Sequence, residues 1–407
     1  MEEPSQGRLK LCLVSRYFPP MMGSGAPRIE DLSENLARMK QEIHVVTTVP
    51  PRAFPKTNER KEFLEKNRKV YRVRIPEGLP NIIYAILSTL GLFLKTLTVI
   101  LMKKVDLVLA TVPNEDSGLA GWLAAKITGR PFIFDVRDDW EIILIDESHG
   151  LERVLAKIVY YMFNALYRSA ERVVCTSETL RRRISLRRGS SKGVYKITNG
   201  TKLETLPIET REGKGVLRRE YGVQGVLAVF TGTLSSHQAP KNIVIGAKEL
   251  RSRGVDTSII IAGGGPLLNE LRELSVNLGE PVRFIGSISR RRVAKLIAES
   301  DIGIITLRDS IACRSMIPIK FFDYITGSLP VVASVPIDSE IAQIIRDEQL
   351  GIVVKPEDPI MLADAIEEMT ENKSLRRKIS KKARKTAERY DWKRLSRDYL
   401  DLMFKVT

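Results

Sequence analysis

The sequence predicts an α/β chain built as two doubly wound parallel-sheet domains that face each other across a cleft. Short apolar runs alternate with amphipathic helical stretches, and this alternation occurs twice along the chain. Several of those runs end in glycine-bearing loops, as strand-to-helix turns beside a ligand require. A length of 407 residues exceeds what one ordinary core fills, and it suits two domains of about 200 residues each. The expected bounds are 1–205 and 206–388, with a terminal helix over 389–407.

In the first half a strand over residues 9–15 leads into Arg16-Tyr-Phe-Pro-Pro-Met-Met-Gly-Ser-Gly-Ala-Pro27, a glycine-bearing loop, and then a helix over 28–40. Strands at 43–48 and 70–75 follow. The loop lacks the dinucleotide spacing Gly-x-Gly-x-x-Gly, because Gly23-Ser-Gly25 runs on to Arg28, and no acid closes the second strand. It reads as a loop for a substrate backbone or a diphosphate, with a plain tight turn as the alternative.

Residues 79–104 are the most apolar stretch, approaching the roughly 20 residues of a spanning helix. Asn81, Ser88 and Lys95 interrupt it, and the strand at 106–110 has to return to the same sheet, so a membrane span is rejected. Two compatible readings remain. One is a crossover helix buried against the sheet; the other is a helix whose exposed face dips into a leaflet beside Lys103 and Lys104. A helix over 116–128 leads to a strand at 131–135, whose end is crowded with polar residues in Val136-Arg-Asp-Asp-Trp140, a site position. A helix at 151–168, a strand at 172–176, a helix at 178–186 capped by Ser177 and a strand at 195–198 complete this half. The turn Asn199-Gly200 and a linker over 201–215 close it.

The second alternation has strands at 225–231, 257–262, 282–286 and 301–305, with helices at 242–253, up to 278, and from the Ser289 cap to 299. Gly232 follows the first of these strands and Gly263-Gly-Gly-Pro266 the second. The segment 314–334 then carries the chemistry. Pro330-Val-Val-Ala333 is a buried strand, and before it lies a helix whose first turn suits Pro318, with Ile319, Phe322 and Ile325 on one face. Lys320 and Asp323 sit on neighbouring turns near the positive helix end. Free helix-start amides and a lysine suit a phosphate, and the carboxylate one turn on suits two hydroxyls of a ribose or sugar. A salt-bridged surface pair is the plainer alternative. Helices at 359–370, 374–389 and 392–404 end the chain.

Composition bounds the partners. With 43% hydrophobic and 28% charged residues the chain is globular, and its net charge of +16 fits an anionic neighbour such as nucleic acid or anionic lipid. The clusters 181–188, 290–292 and 381–385 read first as solvated helix faces, and the few aromatics do not interleave with them as a single-strand platform would require. The polar, acidic amino end does not resemble a signal peptide, so cytosolic residence is expected. Cys12, Cys175 and Cys313 are expected to be reduced, the first two in the core, and three histidines without a cysteine cluster give no expected metal site.

These motifs in this order resemble the family 4 glycosyltransferases of the GT-B type. Tyr17-Phe-Pro-Pro20 with Gly23, Phe134-Asp-Val-Arg-Asp138, Asn199-Gly200, Thr231-Gly232, Ala262-Gly-Gly-Gly-Pro266, Val282-Arg-Phe-Ile-Gly286, Pro318 to Asp323, and Gly327-Ser-Leu-Pro-Val-Val-Ala-Ser334 carry the resemblance over nearly the whole chain. It is strongest to a subgroup that adds N-acetylated sugars to polyprenyl-linked or lipopolysaccharide-type acceptors. The resemblance implies a donor side of Gly23, Gly25, Gly232, Thr233, Gly264, Gly286, Ser315, Ile319 and Asp323, with Asp323 on the ribose as a shortened glutamate. It implies an acceptor side of Ser24, Arg28 and Arg137, and it places Asp138 beside the reacting sugar. The last helix would cross back to the first domain.

Three positions depart from the family pattern. Ser315 stands where a second acid is common, Thr233 where an arginine follows the strand-end glycine, and Gln238 where a lysine follows. Other cations must neutralise the leaving diphosphate. Lys320, Arg314 and Arg308 are the candidates, and the subgroup's Pro-x-Lys pattern favours Lys320. The catalytic set expected is thus Lys320, Asp138 and Arg314. The expected reaction moves a hexose or N-acetylhexosamine from a nucleotide-diphospho-sugar, UDP rather than GDP, to a lipid-linked or polysaccharide acceptor with retention. No cofactor is expected, the nucleotide-sugar being a substrate, and the location would be cytoplasmic, peripheral to an anionic membrane face. A nucleic-acid-binding protein and a sugar-nucleotide 2-epimerase are the rivals; the first rests on charge alone, and the second lacks its acid and histidine set.

Overall fold

The computed structural model describes residues 7–20, 25–49, 67–113, 115–204 and 215–407. Two compact units result, one of residues 1–198 with 392–407 and one of residues 199–391.

In the first unit β1 (Lys10–Val14), β2 (Glu42–Thr48), β3 (Arg68–Val73), β4 (Leu107–Val112), β5 (Phe132–Val136), β6 (Arg172–Cys175) and β7 (Val194–Lys196) form one parallel sheet in the order β3-β2-β1-β4-β5-β6-β7. Its helices are α1 (Ala26–Arg38), α2 (Asn81–Lys103), α3 (Glu115–Thr128), α4 (Trp140–Glu147), α5 (Gly150–Ser169) and α6 (Glu178–Arg188), joined by the C-terminal helix Trp392–Phe404. Neighbouring strand residues bury on opposite faces, which is why the strands read as unbroken apolar runs. Cys12, Val14, Val108 and Phe134 pack with residues of α2, α3 and α5; Leu11, Leu13, Leu109 and Ile133 pack with α1 and the C-terminal helix.

The apolar stretch forms α2 as a crossover helix. Ser88, Leu92, Thr96 and Val99 turn inward, and the helix lies against β1, β2, β3 and α3. It is long and apolar enough to cross a membrane, yet its inner face is committed to the sheet.

In the second unit β8 (Val226–Thr231), β9 (Thr257–Ala262), β10 (Arg283–Gly286), β11 (Ile302–Thr306), β12 (Val331–Ser334) and β13 (Gly351–Val354) form a parallel sheet in the order β10-β9-β8-β11-β12-β13. Around it lie α7 (Val216–Glu220), α8 (Lys241–Ser252), α9 (Leu268–Asn277), α10 (Arg290–Glu299), α11 (Ile311–Ser315), α12 (Ile319–Thr326), α13 (Glu340–Asp347), α14 (Pro359–Glu371) and α15 (Lys373–Ala387), and the C-terminal helix is α16. One layer buries Phe321, Phe322 and Ile325 of α12; the other buries Ile243 and Val244 of α8 with Leu362 and Ile366 of α14.

Local expectations shift in several places. The short helices α4, α7, α11 and α13 and the edge strand β13 occupy segments without an expected element, and most of the expected linker, 205–214, lies outside the described residues. Pro318 precedes α12 rather than joining its first turn, because its ψ of 141° is extended and helical backbone begins at Ile319.

Candidate functional site

Each sheet reverses its strand order once, between β1 and β4 in the first unit and between β8 and β11 in the second. Connections leave such a point in opposite directions and open a crevice at the carboxyl ends of the strands.

In the second unit two glycine loops build the floor of that crevice. Gly232 follows β8 with φ +133°, and Gly263 follows β9 so closely that a Cβ there would lie 1.8 Å from the Gly232 carbonyl oxygen. Gly232 N donates to Ala262 O at 2.9 Å and Leu234 N to Gly264 O at 2.9 Å, lacing the loops together with Thr233 exposed at the bend. A Cβ on Gly264 would fall 2.7 Å from Ser287 Oγ, just beyond Gly286, which ends β10 with φ +69°.

Lys320 reaches this floor from the second residue of α12. Its Nζ donates to Gln238 Oε1 at 2.8 Å and lies 3.4 Å from the centroid of the Phe230 ring. A Cβ on Gly232 would come within 3.2 Å of its Cε. The Gln238 carbonyl in turn accepts from Thr306 Oγ1 at the end of β11, so the lysine stands over the β8/β11 switch. Only 7% of Lys320 is exposed, and burial holds its pKa well below the ordinary 10.5. The Phe230 face offsets part of that burial in the charged form. Among the described residues no carboxylate forms an ion pair with it, which overturns the surface-pair alternative. No side chain caps α12, so its first amides and the lysine make a single positive end. Asp323 is half-buried one turn further along.

The other donor-side positions divide. Ile319 opens α12 half-buried, whereas the buried Ser315 donates its hydroxyl locally to Ala312 O at 2.8 Å. Arg314, expected as a second catalytic cation, instead pairs with Asp309 at 2.7 Å and Asp338 at 3.0 Å, and two carboxylates neutralise it.

The first unit places two arginines at its own switch. Arg16, two residues beyond β1, pairs with the buried Asp116 at 3.4 Å, and its guanidinium lies 4.9 Å from the Tyr84 ring centroid. Arg137, directly after β5, donates through Nε to the Val112 carbonyl at 2.5 Å, over the end of β4. Burial lowers its pKa to about 10, although Asp138 and Asp135 act in the opposite sense. Its guanidinium lies across Gly25, where a Cβ would fall 1.4 Å from Nη1, and Gly25 has φ +149°. Only glycine admits both that approach and that backbone. Asp139 pairs with Arg183 and Glu141 with Arg187, which pins the chain just after the half-buried Asp138. Gly23 and Ser24 lie outside the described residues.

Arg28 differs from its expected acceptor role. The side chain is 1% exposed; it meets Asp135 through two hydrogen bonds of 3.1 and 2.9 Å, and it donates to the carbonyls of Ile197 and Thr198 and to Tyr399 Oη. Such a closed fork ties β5, the exit from β7 and α16 together and leaves no donor facing a ligand. The basic cluster at 181–188 is likewise held internally, Arg181 and Arg182 by Glu178, Arg183 and Arg187 as above, and Arg188 by donating to the Tyr167 carbonyl.

Two family models match this framework. One described as glycosyl transferases group 1 matches residues 219–386, and one described as a glycosyl transferase 4-like domain matches residues 23–197. The chain is a family 4 glycosyltransferase of GT-B architecture. An alpha-D-kanosaminyltransferase from Streptomyces kanamyceticus is 22% identical over 64% of this chain and 67% of its own. An uncharacterized glycosyltransferase from Methanocaldococcus jannaschii is 23% identical over 97% of both chains. Among solved structures, HepE of Anabaena in complex with UDP and glucose aligns with TM-score 0.75 at 16% identity, covering 98% of this glycosyltransferase and 100% of that chain. Sucrose-phosphate synthase of Thermosynechococcus elongatus aligns with TM-score 0.77 at 16% identity, over 98% and 99% of the two chains.

Sequence reasoning missed several residues that shape this glycosyltransferase. Gln238 read as a loss of charge and proves to be the partner of Lys320. Arg16 had only its place after β1 to mark it. Tyr324, next to Asp323, accepts from Thr231 N at 2.9 Å and braces β8 just before Gly232.

Proposed function

We propose that this glycosyltransferase moves a hexose or N-acetylhexosamine from a UDP-sugar to a lipid-linked or polysaccharide acceptor, with retention. The second unit holds the donor. The observation that carries this is the buried Lys320, set over the strand switch at an uncapped helix start with no carboxylate paired to it among the described residues. A cation left in that state lacks its anion, and a nucleoside diphosphate supplies one.

As the bond from the anomeric carbon to the diphosphate oxygen breaks, negative charge grows on the leaving phosphate, and the acceptor hydroxyl passes its proton to that phosphate as its oxygen bonds to the anomeric carbon. Lys320 and the α12 amides meet that charge without rearranging, so they act most strongly at the transition state. Asp323 takes the donor ribose, and the Gly232, Gly264 and Gly286 turns admit the diphosphate and base close to backbone. Asp138 and Arg137 serve the acceptor side of the first unit. Solved structural neighbours in complex with UDP support the choice of base.

A thermal-shift panel of UDP, GDP and their sugars, followed by transfer assays with the best donor, tests the reading. Stabilisation by UDP compounds is the expected result. Protection by GDP compounds alone would change the donor, and protection by neither would remove it.

A further inference from the structure

The first unit also carries an exposed apolar surface. Helices α2, α3 and α5 cover one face of its sheet, with α3 packed against both others. Having turned Leu92 and Val99 inward, α2 shows Ile83, Ile86, Leu90, Leu94 and Leu101 outward, each 46% to 65% exposed. These positions form one stripe along a helix of 23 residues. The outward face of α5 repeats the pattern with Leu151, Val154, Ile158 and Tyr161.

Cations border the stripe. At the carboxyl end of α2 a groove of about 300 Å³ is lined by Leu97, Ile100, Leu101 and Ile127, with Lys104 and Arg130 beside them. On α3 the Lys126 ammonium lies 5.0 Å from the Trp122 ring centroid. Among the described residues no carboxylate pairs with Lys104, Lys126 or Arg130, unlike the neutralised cluster on α6.

We propose that this face docks on an anionic phospholipid bilayer. Helices α2 and α5 lie along the surface with their apolar stripes among the acyl chains, and the groove beside Lys104 and Arg130 receives a phosphate headgroup. Charge complementarity selects this occupant. A second copy of the chain would bring the same lysines and arginines face to face, whereas anionic lipid neutralises them while burying the stripe. The helix lies in the surface rather than across it because its inner face is held by the sheet.

Flotation with phosphatidylcholine vesicles, with and without phosphatidylglycerol, tests the proposal at low and high salt. The wild-type chain is expected to float with the anionic vesicles at low salt, and less with neutral vesicles or at high salt. The double variants Leu94→Asp/Leu101→Asp and Lys104→Glu/Arg130→Glu should each bind roughly tenfold less, with unchanged circular-dichroism melts because the sites are exposed. Val276→Asp, on an exposed position of α9, should float like the wild type. Wild-type protein left in the soluble fraction at low salt, or double variants floating normally, would overturn the proposal. So would a sedimenting dimer that Leu94→Asp/Leu101→Asp dissociates, which would make a second copy the occupant. No nucleotide-sugar enters the assay, so the result stands apart from the donor assignment.

Discussion

The Lys320 ammonium donates to Gln238 Oε1 at 2.8 Å, joining the start of α12 to the loop that follows β8. The amide therefore positions the cation without neutralising it, as a carboxylate would. Replacing Lys320 with methionine is expected to reduce kcat about a hundredfold to a thousandfold, the usual cost of one preorganised charge partner. The same change should raise the melting temperature of the free protein, because a buried cation is removed. Transfer assays and thermal melts read the two effects independently.

Gln238→Glu would put a carboxylate against the ammonium. The new pair should compete with the donor diphosphate, weakening UDP binding even though the substitution is nearly isosteric. Calorimetric titration with UDP measures this, and unchanged affinity would show that Lys320 faces something else.

The lowered pKa of Lys320 sets a pH dependence. Below the ordinary 10.5 the unfolded chain binds a proton there more readily than the folded chain does, so this residue makes the free protein more stable as pH rises towards that value. A bound diphosphate favours the charged lysine, so UDP binding should take up a proton and tighten as pH falls. Titrations in buffers of different ionisation enthalpy count that proton, and Lys320→Met should abolish the uptake.

Asp323 is expected to act on ground-state binding. Asp323→Ala should raise the donor KM roughly tenfold with a smaller change in kcat, as loss of a ribose contact held equally in ground and transition states predicts. Steady-state kinetics with varied donor separates the two constants.

Arg28 and Asp135 form a structural pair. Burial acts to raise the Asp135 pKa, and the charge and hydrogen bonds of Arg28 outweigh it, so the carboxyl sits below its ordinary 3.8. Stability from the pair is present above that value and is lost as pH falls through the folded one. Arg28→Met should cost about 3–5 kcal/mol at neutral pH by leaving a buried carboxylate uncompensated. The gap from wild type should narrow in acid, and urea denaturation across pH reads it.

The legible and illegible parts of the sequence divide by range. Parallel strands buried on both faces leave continuous apolar runs such as those of β4 and β8, and the helix over 319–326 was marked by Pro318 and by the spacing of Phe322 and Ile325. Side-chain partners far apart in the chain leave no local pattern. Gln238 and Lys320 are 82 residues apart, and Arg28 meets Asp135 across 107 residues and Tyr399 across 371. An arginine in the first turn of a helix and an arginine at a ligand look alike until its acceptors are known. For Arg314 the neutralising Asp338 lies 24 residues downstream, beyond any helical spacing.

One measurement bears most directly on Lys320 as the reader of the donor diphosphate: calorimetric titration of UDP into the wild type and into Lys320→Met, with the fold of both verified by circular dichroism. Binding to the wild type and its loss in the variant is the expected outcome. Equal affinity in the two proteins would contradict the account.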